Sequence, residues 1–151
     1  MIEGQAPRKV ARQTAIAALK GKLFYIRYDY VVLDDPDGSG FLVYALGRGP
    51  RAGDVVMTGH FRATVSANGE KAERVDALSR SVLVENRNVV NSPSGFRRTG
   101  FYMATLVGTR PSETLIYASN LLKKPIFVGT GLRGQVWLVE NGKITKSDSK
   151  K

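Results

Sequence analysis

Two Asn-Gly pairs, Asn68-Gly69 and Asn141-Gly142, each stand between segments in which apolar and polar residues alternate. An Asn-Gly pair supplies the positive φ angles that a tight hairpin turn requires, so each predicts antiparallel strands on its two sides. "DDPDGSG" and "RGPRAG" break the chain in the same way, the first as a proline-initiated turn. Segments this short, joined by turns this tight, leave little room for parallel crossovers.

The strand candidates follow from these breaks. "KLFYIRYDYVVLD" puts Phe24, Ile26, Tyr28, Tyr30 and Val32 on one face, and Tyr25, Arg27 and Asp29 on the other. "GFLVYALG" reads as an apolar strand. "DVVMTGHFRATVSA" reads as one half-buried strand, with Val55, Met57, Phe61, Ala63 and Val65 inward and Thr58, His60, Arg62 and Thr64 outward. "AERVDALSRSVLVE" returns antiparallel to it, and its alternation slips around Ser79 to Ser81, which predicts a bulge. "NRNVVNSPSGFRRTG" is polar enough to be a long surface loop. "FYMATLVG", "ETLIYASNLL", "PIFVGT" and "QVWLVE" read as further strands, and "ENGKIT" leads into a short last one.

One segment has a different period. In "APRKVARQTAIAALKG", Ala11, Ala15, Ala18 and Leu19 recur at helical spacing, with Pro7 permitted near the start and Gly21 just past the end. That small-residue face suits close approach to a sheet. The predicted fold is therefore α+β: an N-terminal helix packed on a bent, predominantly antiparallel sheet of about six to eight strands. An all-β sandwich or a partly open barrel is the alternative. The 151 residues are expected to form a flexible segment over 1–7, a single domain over 8–145 and a basic disordered tail over 146–151.

Composition narrows the chemistry. The chain has no cysteine and one histidine, which excludes thiol catalysis, disulfides and a multi-histidine metal centre within one chain. No apolar run approaches the roughly 20 residues of a membrane span. A soluble protein is expected, cytoplasmic if the chain is complete and exported if a leader was removed. The 23 Lys and Arg against 13 Asp and Glu give a net charge of +10, which attracts polyanions. The cations concentrate in residues 1–27 and 91–151, whereas residues 28–40 hold aspartates and no cation.

Motif by motif, no catalytic constellation emerges. "GTGLRGQVW", from Gly129 to Trp137, matches a nucleotide-binding glycine pattern, but a dinucleotide site needs a helix after it and "QVWLVE" continues as a strand. The protein-kinase version needs a lysine strand and catalytic loop downstream, and too little chain follows. Gly129, Gly131 and Gly134 therefore read as turn residues that permit positive φ. Asp35, Asp37 and Ser39 resemble the start of a calcium loop, but the twelfth position is Leu46 where a carboxylate is needed. His60 has no carboxylate beside it in sequence; Glu73 or Asp76 would reach it across the predicted hairpin, as in an ordinary cross-strand pair. No metal and no cofactor is expected.

The favoured reading is a non-catalytic binding or interaction module for an anionic protein partner or ligand. A single-stranded nucleic-acid-binding module is second, since "FYIRY" and "GFRRTGFY" interleave aromatic and basic residues. A small enzyme with a site on a concave sheet face is third. Tyr25, Arg27, His60, Arg62, Arg80, Arg97 and Arg98 are the candidate ligand- or anion-contacting residues.

Overall fold

The computed structural model describes residues 5–89, 100–105, 108–131 and 134–147. The fold is α+β, with open and mostly antiparallel sheets. The chain forms two compact units, residues 1–48 with 59–78, and residues 49–58 with 79–151.

The first unit is a helix on a four-stranded sheet. Helix α1 (Gln5–Leu19) precedes strands β1 (Arg27–Asp34) and β2 (Phe41–Arg48); β4 (Phe61–Val65) and β5 (Ala72–Ala77) complete the sheet in the order β1-β2-β4-β5, every pair antiparallel. The helical stripe predicted from spacing is the face that packs, with Ala11, Ala15 and Leu19 wholly buried. Their methyl groups and Leu19 meet Phe41, Val43, Ala45, Phe61, Ala63 and Val65 from the sheet. Arg8 and Arg12 lie over the rings of Phe41 and Tyr30, and Arg8 also pairs with Asp34 at 2.6 Å. The β4–β5 hairpin turns at Ser66–Gly69, with Gly69 at φ +80°. "DDPDGSG" forms the β1–β2 turn, where the Asp35 carboxylate accepts the Asp37 N–H.

The second unit holds β3 (Asp54–Thr58), paired antiparallel with β6 (Leu83–Asn86), and a sheet of β7 (Phe101–Thr105), β8 (Ile126–Thr130), β9 (Gln135–Glu140) and β10 (Lys143–Lys146) in the order β10-β9-β8-β7. Helix α2 (Thr114–Leu122) lies between β7 and β8 in sequence, and those two strands are parallel. A parallel pair needs a crossover of this kind. Val55, Met57, Phe101, Met103, Leu115, Ala118, Leu122, Ile126, Val128 and Val139 form the core.

Three local expectations change. "ETLIYASNLL" is a helix, because Leu115, Ala118, Ser119 and Leu122 are buried at i, i+3, i+4 and i+7 spacing. Ser112 helps start it by accepting the Thr114 N–H at its hydroxyl, and Lys123 ends it in the left-handed conformation, two residues before Pro125. "DVVMTGHFRATVSA" is two strands in different sheets, divided at Gly59, whose φ is +113°. Its apolar alternation is real but serves two cores, Val55 and Met57 in one and Phe61, Ala63 and Val65 in the other. The slip at Ser79 to Ser81 marks the passage from β5 to β6, a change of sheet in place of the expected bulge.

The loop entering β3 is held by a buried carboxylate. Asp54, whose side chain is 1% exposed, accepts the Arg51 N–H at 2.8 Å and the Asn86 amide at 2.8 Å, while Asn86 and Asn88 both donate to the Ala52 carbonyl. The Asn86 amide first, and the Arg51 N–H second, hold the Asp54 carboxyl below its ordinary value of 3.8. A lowered folded pKa means that the unfolded chain binds the proton more tightly. The stabilisation is therefore complete above pH 3.8 and drains as pH falls through the folded value. Asp54→Asn should melt below the wild type at neutral pH, with the gap narrowing under acid. A gap independent of pH between 7 and 2.5 would refute this role for the charge.

Candidate ligand cleft

A cleft of about 580 Å³ opens in the second unit between the entry to α2 and the β9–β10 hairpin. Its first wall is Arg110, Pro111, Glu113 and Ile116; its second is Gly142, Lys143, Ile144 and Thr145. The second wall follows from the Asn-Gly turn. Asn141 and Gly142 have φ of +53° and +74°, both positive as a two-residue hairpin demands, and Glu140 then pairs with Lys143 and Val139 with Ile144. Ile116 and Ile144 rest on the core cluster and form the apolar part of the lining.

The first wall is fixed through the unique tryptophan. Trp137 donates its indole N–H to the Thr130 hydroxyl at 2.9 Å, and that hydroxyl donates to the Thr109 carbonyl at 3.2 Å. Thr130 is buried, so this relay ties residue 109 to the sheet next to Arg110. The Arg110 guanidinium lies 5.9 Å from the centroid of the Trp137 ring. Stacking limits the rotamers of a long side chain, so Arg110 is partly ordered before any ligand arrives. Arg110 and Lys143 both line the cleft, together with Glu113 and Thr145. Such a set has the chemistry to bind an anion with an apolar portion.

A smaller hollow of about 320 Å³ lies at the other end of α2, lined by Ser119, Asn120, Lys123, Lys124, Pro125, Glu140 and Asn141. Its lysines sit where the helix dipole favours cations, and the Ser119 hydroxyl shares its one proton between the Lys124 carbonyl at 2.8 Å and the Val139 carbonyl at 3.2 Å. Those contacts account for the residues as helix-end structure.

Of the residues singled out from sequence, the five that are described lie elsewhere. Tyr25 is fully exposed, at 108%, two residues before Arg27 begins β1, and Arg27 is exposed too. His60 is on no polar face: it is 1% exposed, and its Nδ1 accepts the Gly47 N–H at 2.9 Å. Asp76, one of its expected partners, instead lies across from Arg62 and accepts from it at 3.1 Å, with Arg74 on the other oxygen at 2.7 Å. Arg80 is exposed in the second unit. Arg97 and Arg98 lie outside the described residues. Neither cleft is lined by Tyr25, Arg27, His60, Arg62 or Arg80. Sequence reasoning missed Arg110 and Lys143; the available signal was the Asn-Gly turn beside Lys143 and the single tryptophan facing an Arg-Pro step.

The glycine pattern sits in the β8–β9 hairpin and is followed by a strand, not a helix. Gly131 and Gly134 have φ of +68° and +64°, as turn residues do. Gly129 differs: it is within β8, and a Cβ there would stand 2.9 Å from the Tyr102 hydroxyl, so its role is close approach. Among the described residues no group of three His, Cys, Asp or Glu side chains is placed to hold a metal ion, and no helix is long and apolar enough to cross a membrane. The chain matches no protein-family model, no curated protein and no solved structure.

Proposed function

We propose that the protein is a non-catalytic binding module for an anionic partner or ligand, and that the cleft beside β10 is its contact site. The observation that carries this reading is that two cationic residues, Arg110 and Lys143, line one cleft, with Arg110 already seated over Trp137. The net charge of +10 favours encounter with any anion, and the cleft adds a defined place for one to stop.

Trp137 is the only tryptophan, so its fluorescence reports on this cleft. Titration with tripolyphosphate at low salt should give a saturable change that weakens as salt rises. The double variant Arg110→Ser, Lys143→Ser should bind at least tenfold more weakly. Lys150→Ser with Lys151→Ser removes the same charge from the C-terminal end and should change affinity less than threefold. Equal losses in the two double variants would reduce binding to non-specific attraction and remove the cleft from the account.

A nucleic-acid reading has one observation behind it, the fully exposed Tyr25 ring near the exposed Arg27. A ring free on both faces stacks on unpaired bases, and a guanidinium beside it meets phosphate. Tyr25→Ala should then weaken single-stranded DNA binding without altering tripolyphosphate binding at the cleft.

A further inference from the structure

We propose that the occupant of the cleft is an extended acidic peptide that pairs with β10 as an added strand, an inference that rests on the cleft being the anion-contact site. Strand β10 is an edge: its ladder runs to β9 alone. In a two-residue hairpin the residues flanking the turn form a hydrogen-bonded pair, so Lys143 and Thr145 point their backbone groups at β9. The Ser147 N–H donates to the Val136 carbonyl at 2.8 Å, which continues the same parity. The backbone N–H and C=O of Ile144 and Lys146 therefore face away from β9. Among the described residues no strand meets them.

The cleft is lined by Lys143, Ile144 and Thr145 but by no residue of β9, so it opens on that outer side of β10. Its opposite wall, from Arg110 to Ile116, leaves a groove between an edge strand and the start of a helix. Extended peptides bind grooves of this form by adding a strand, with main-chain hydrogen bonds for affinity and side-chain pockets for selectivity. Charge then decides the occupant. Antiparallel pairing keeps outward-facing residues opposite one another, so two β10 strands would set Lys146 against Ile144 or against a second Lys146, and two chains of net charge +10 repel. Side chains alternate along β10, so Lys143 and Thr145 take one face and Ile144 and Lys146 the other; glutamate or aspartate at alternate positions of an incoming strand then meets Lys143, while the residues between them meet Ile144. Ile144, half-buried beside Ile116, gives that strand an apolar contact.

The test uses two peptides of equal charge on the full chain: a capped peptide alternating valine with glutamate, and the same peptide with proline in place of valine. Proline has no N–H to donate, so the second matches the charge without completing the ladder. The valine peptide should change Trp137 fluorescence saturably and slow hydrogen exchange at the Ile144 and Lys146 amides. The proline peptide should bind at least tenfold more weakly. On the protein side, Lys146→Pro removes an outward N–H from an exposed position and leaves the bonds to β9. It should weaken the valine peptide tenfold while Lys146→Gln weakens it less than threefold. If Lys146→Pro fails to fold, the peptide pair still decides. Equal binding of the two peptides, or binding of single-stranded DNA with neither peptide bound, would overturn strand addition while leaving an anion-binding protein. Silence toward both peptides, tripolyphosphate and DNA would overturn the functional reading with it.

Discussion

A Gly69→Ala variant will destabilise the helix-on-sheet unit by about 2–4 kcal/mol. Gly69 has a φ of +80°, and a Cβ there would lie 2.5 Å from the Pro7 carbonyl oxygen and 2.8 Å from the Ala11 nitrogen. Those two atoms are four residues apart in α1, the spacing of a helical hydrogen bond, so the added methyl would press on the helix backbone itself. The Thr14 hydroxyl also donates to the Gly69 carbonyl at 2.6 Å, fixing the turn against the helix. Positive φ alone costs an alanine about 1 kcal/mol, and displacing a packed backbone adds typically about 1–3 kcal/mol, for a sum of about 2–4 kcal/mol. Gly21→Ala is the matched control: its φ is +82°, but nothing lies within 4 Å of the new Cβ. Urea unfolding of both variants should show the control losing about 1 kcal/mol and Gly69→Ala at least twice that. Equal losses would mean that the helix yields without cost.

Gly69 also shows what the sequence made legible and what it did not. Asn68-Gly69 announced a turn from local chemistry, because positive φ is a property of one or two residues. That the turn would face Pro7 and Ala11 is a tertiary fact, and no residue near position 69 encodes it. The same division runs through the fold. Helix α1, the four-stranded antiparallel sheet and both hairpins follow periods and turns that lie within a dozen residues. The exchange of strands between sheets does not, because alternation reports that Val55, Met57, Phe61, Ala63 and Val65 are buried without reporting in which core. Gly59 was the one local warning, a glycine inside an alternating run. Helix α2 was misread for a related reason: Leu115, Tyr117 and Ser119 alternate with Ile116 and Ala118, and a run of nine apolar-rich residues satisfies both periods until burial selects one.

The site was less legible than the fold. Arg110 stands out only once Trp137 is beneath it, and that contact depends on the Thr109, Thr130 and Trp137 relay across 28 residues of chain. His60 drew attention as the sole histidine, yet scarcity in a sequence says nothing about exposure. Arg62 looked equally available and is instead set against Asp76 by the register of β4 and β5.

His60→Ala is accordingly expected to be a stability variant. The ring is 1% exposed and its Nδ1 accepts the Gly47 N–H at 2.9 Å, a buried contact within one unit. A nitrogen engaged as an acceptor there requires the proton on Nε2, so the ring is held as one neutral tautomer. Truncation to alanine orphans the buried Gly47 donor, which costs about 1–3 kcal/mol, and leaves an unfilled volume that adds about 2 kcal/mol more. His60→Phe separates the two effects, because it fills the volume and still removes the acceptor. Chemical unfolding should rank wild type above His60→Phe, and His60→Phe above His60→Ala, with a total loss of about 3–5 kcal/mol for alanine. At temperatures where the variants remain folded, tripolyphosphate binding followed at Trp137 should be unchanged. A His60→Ala protein that unfolds with the wild type, or that folds normally but no longer binds, would return His60 from the core to the functional surface.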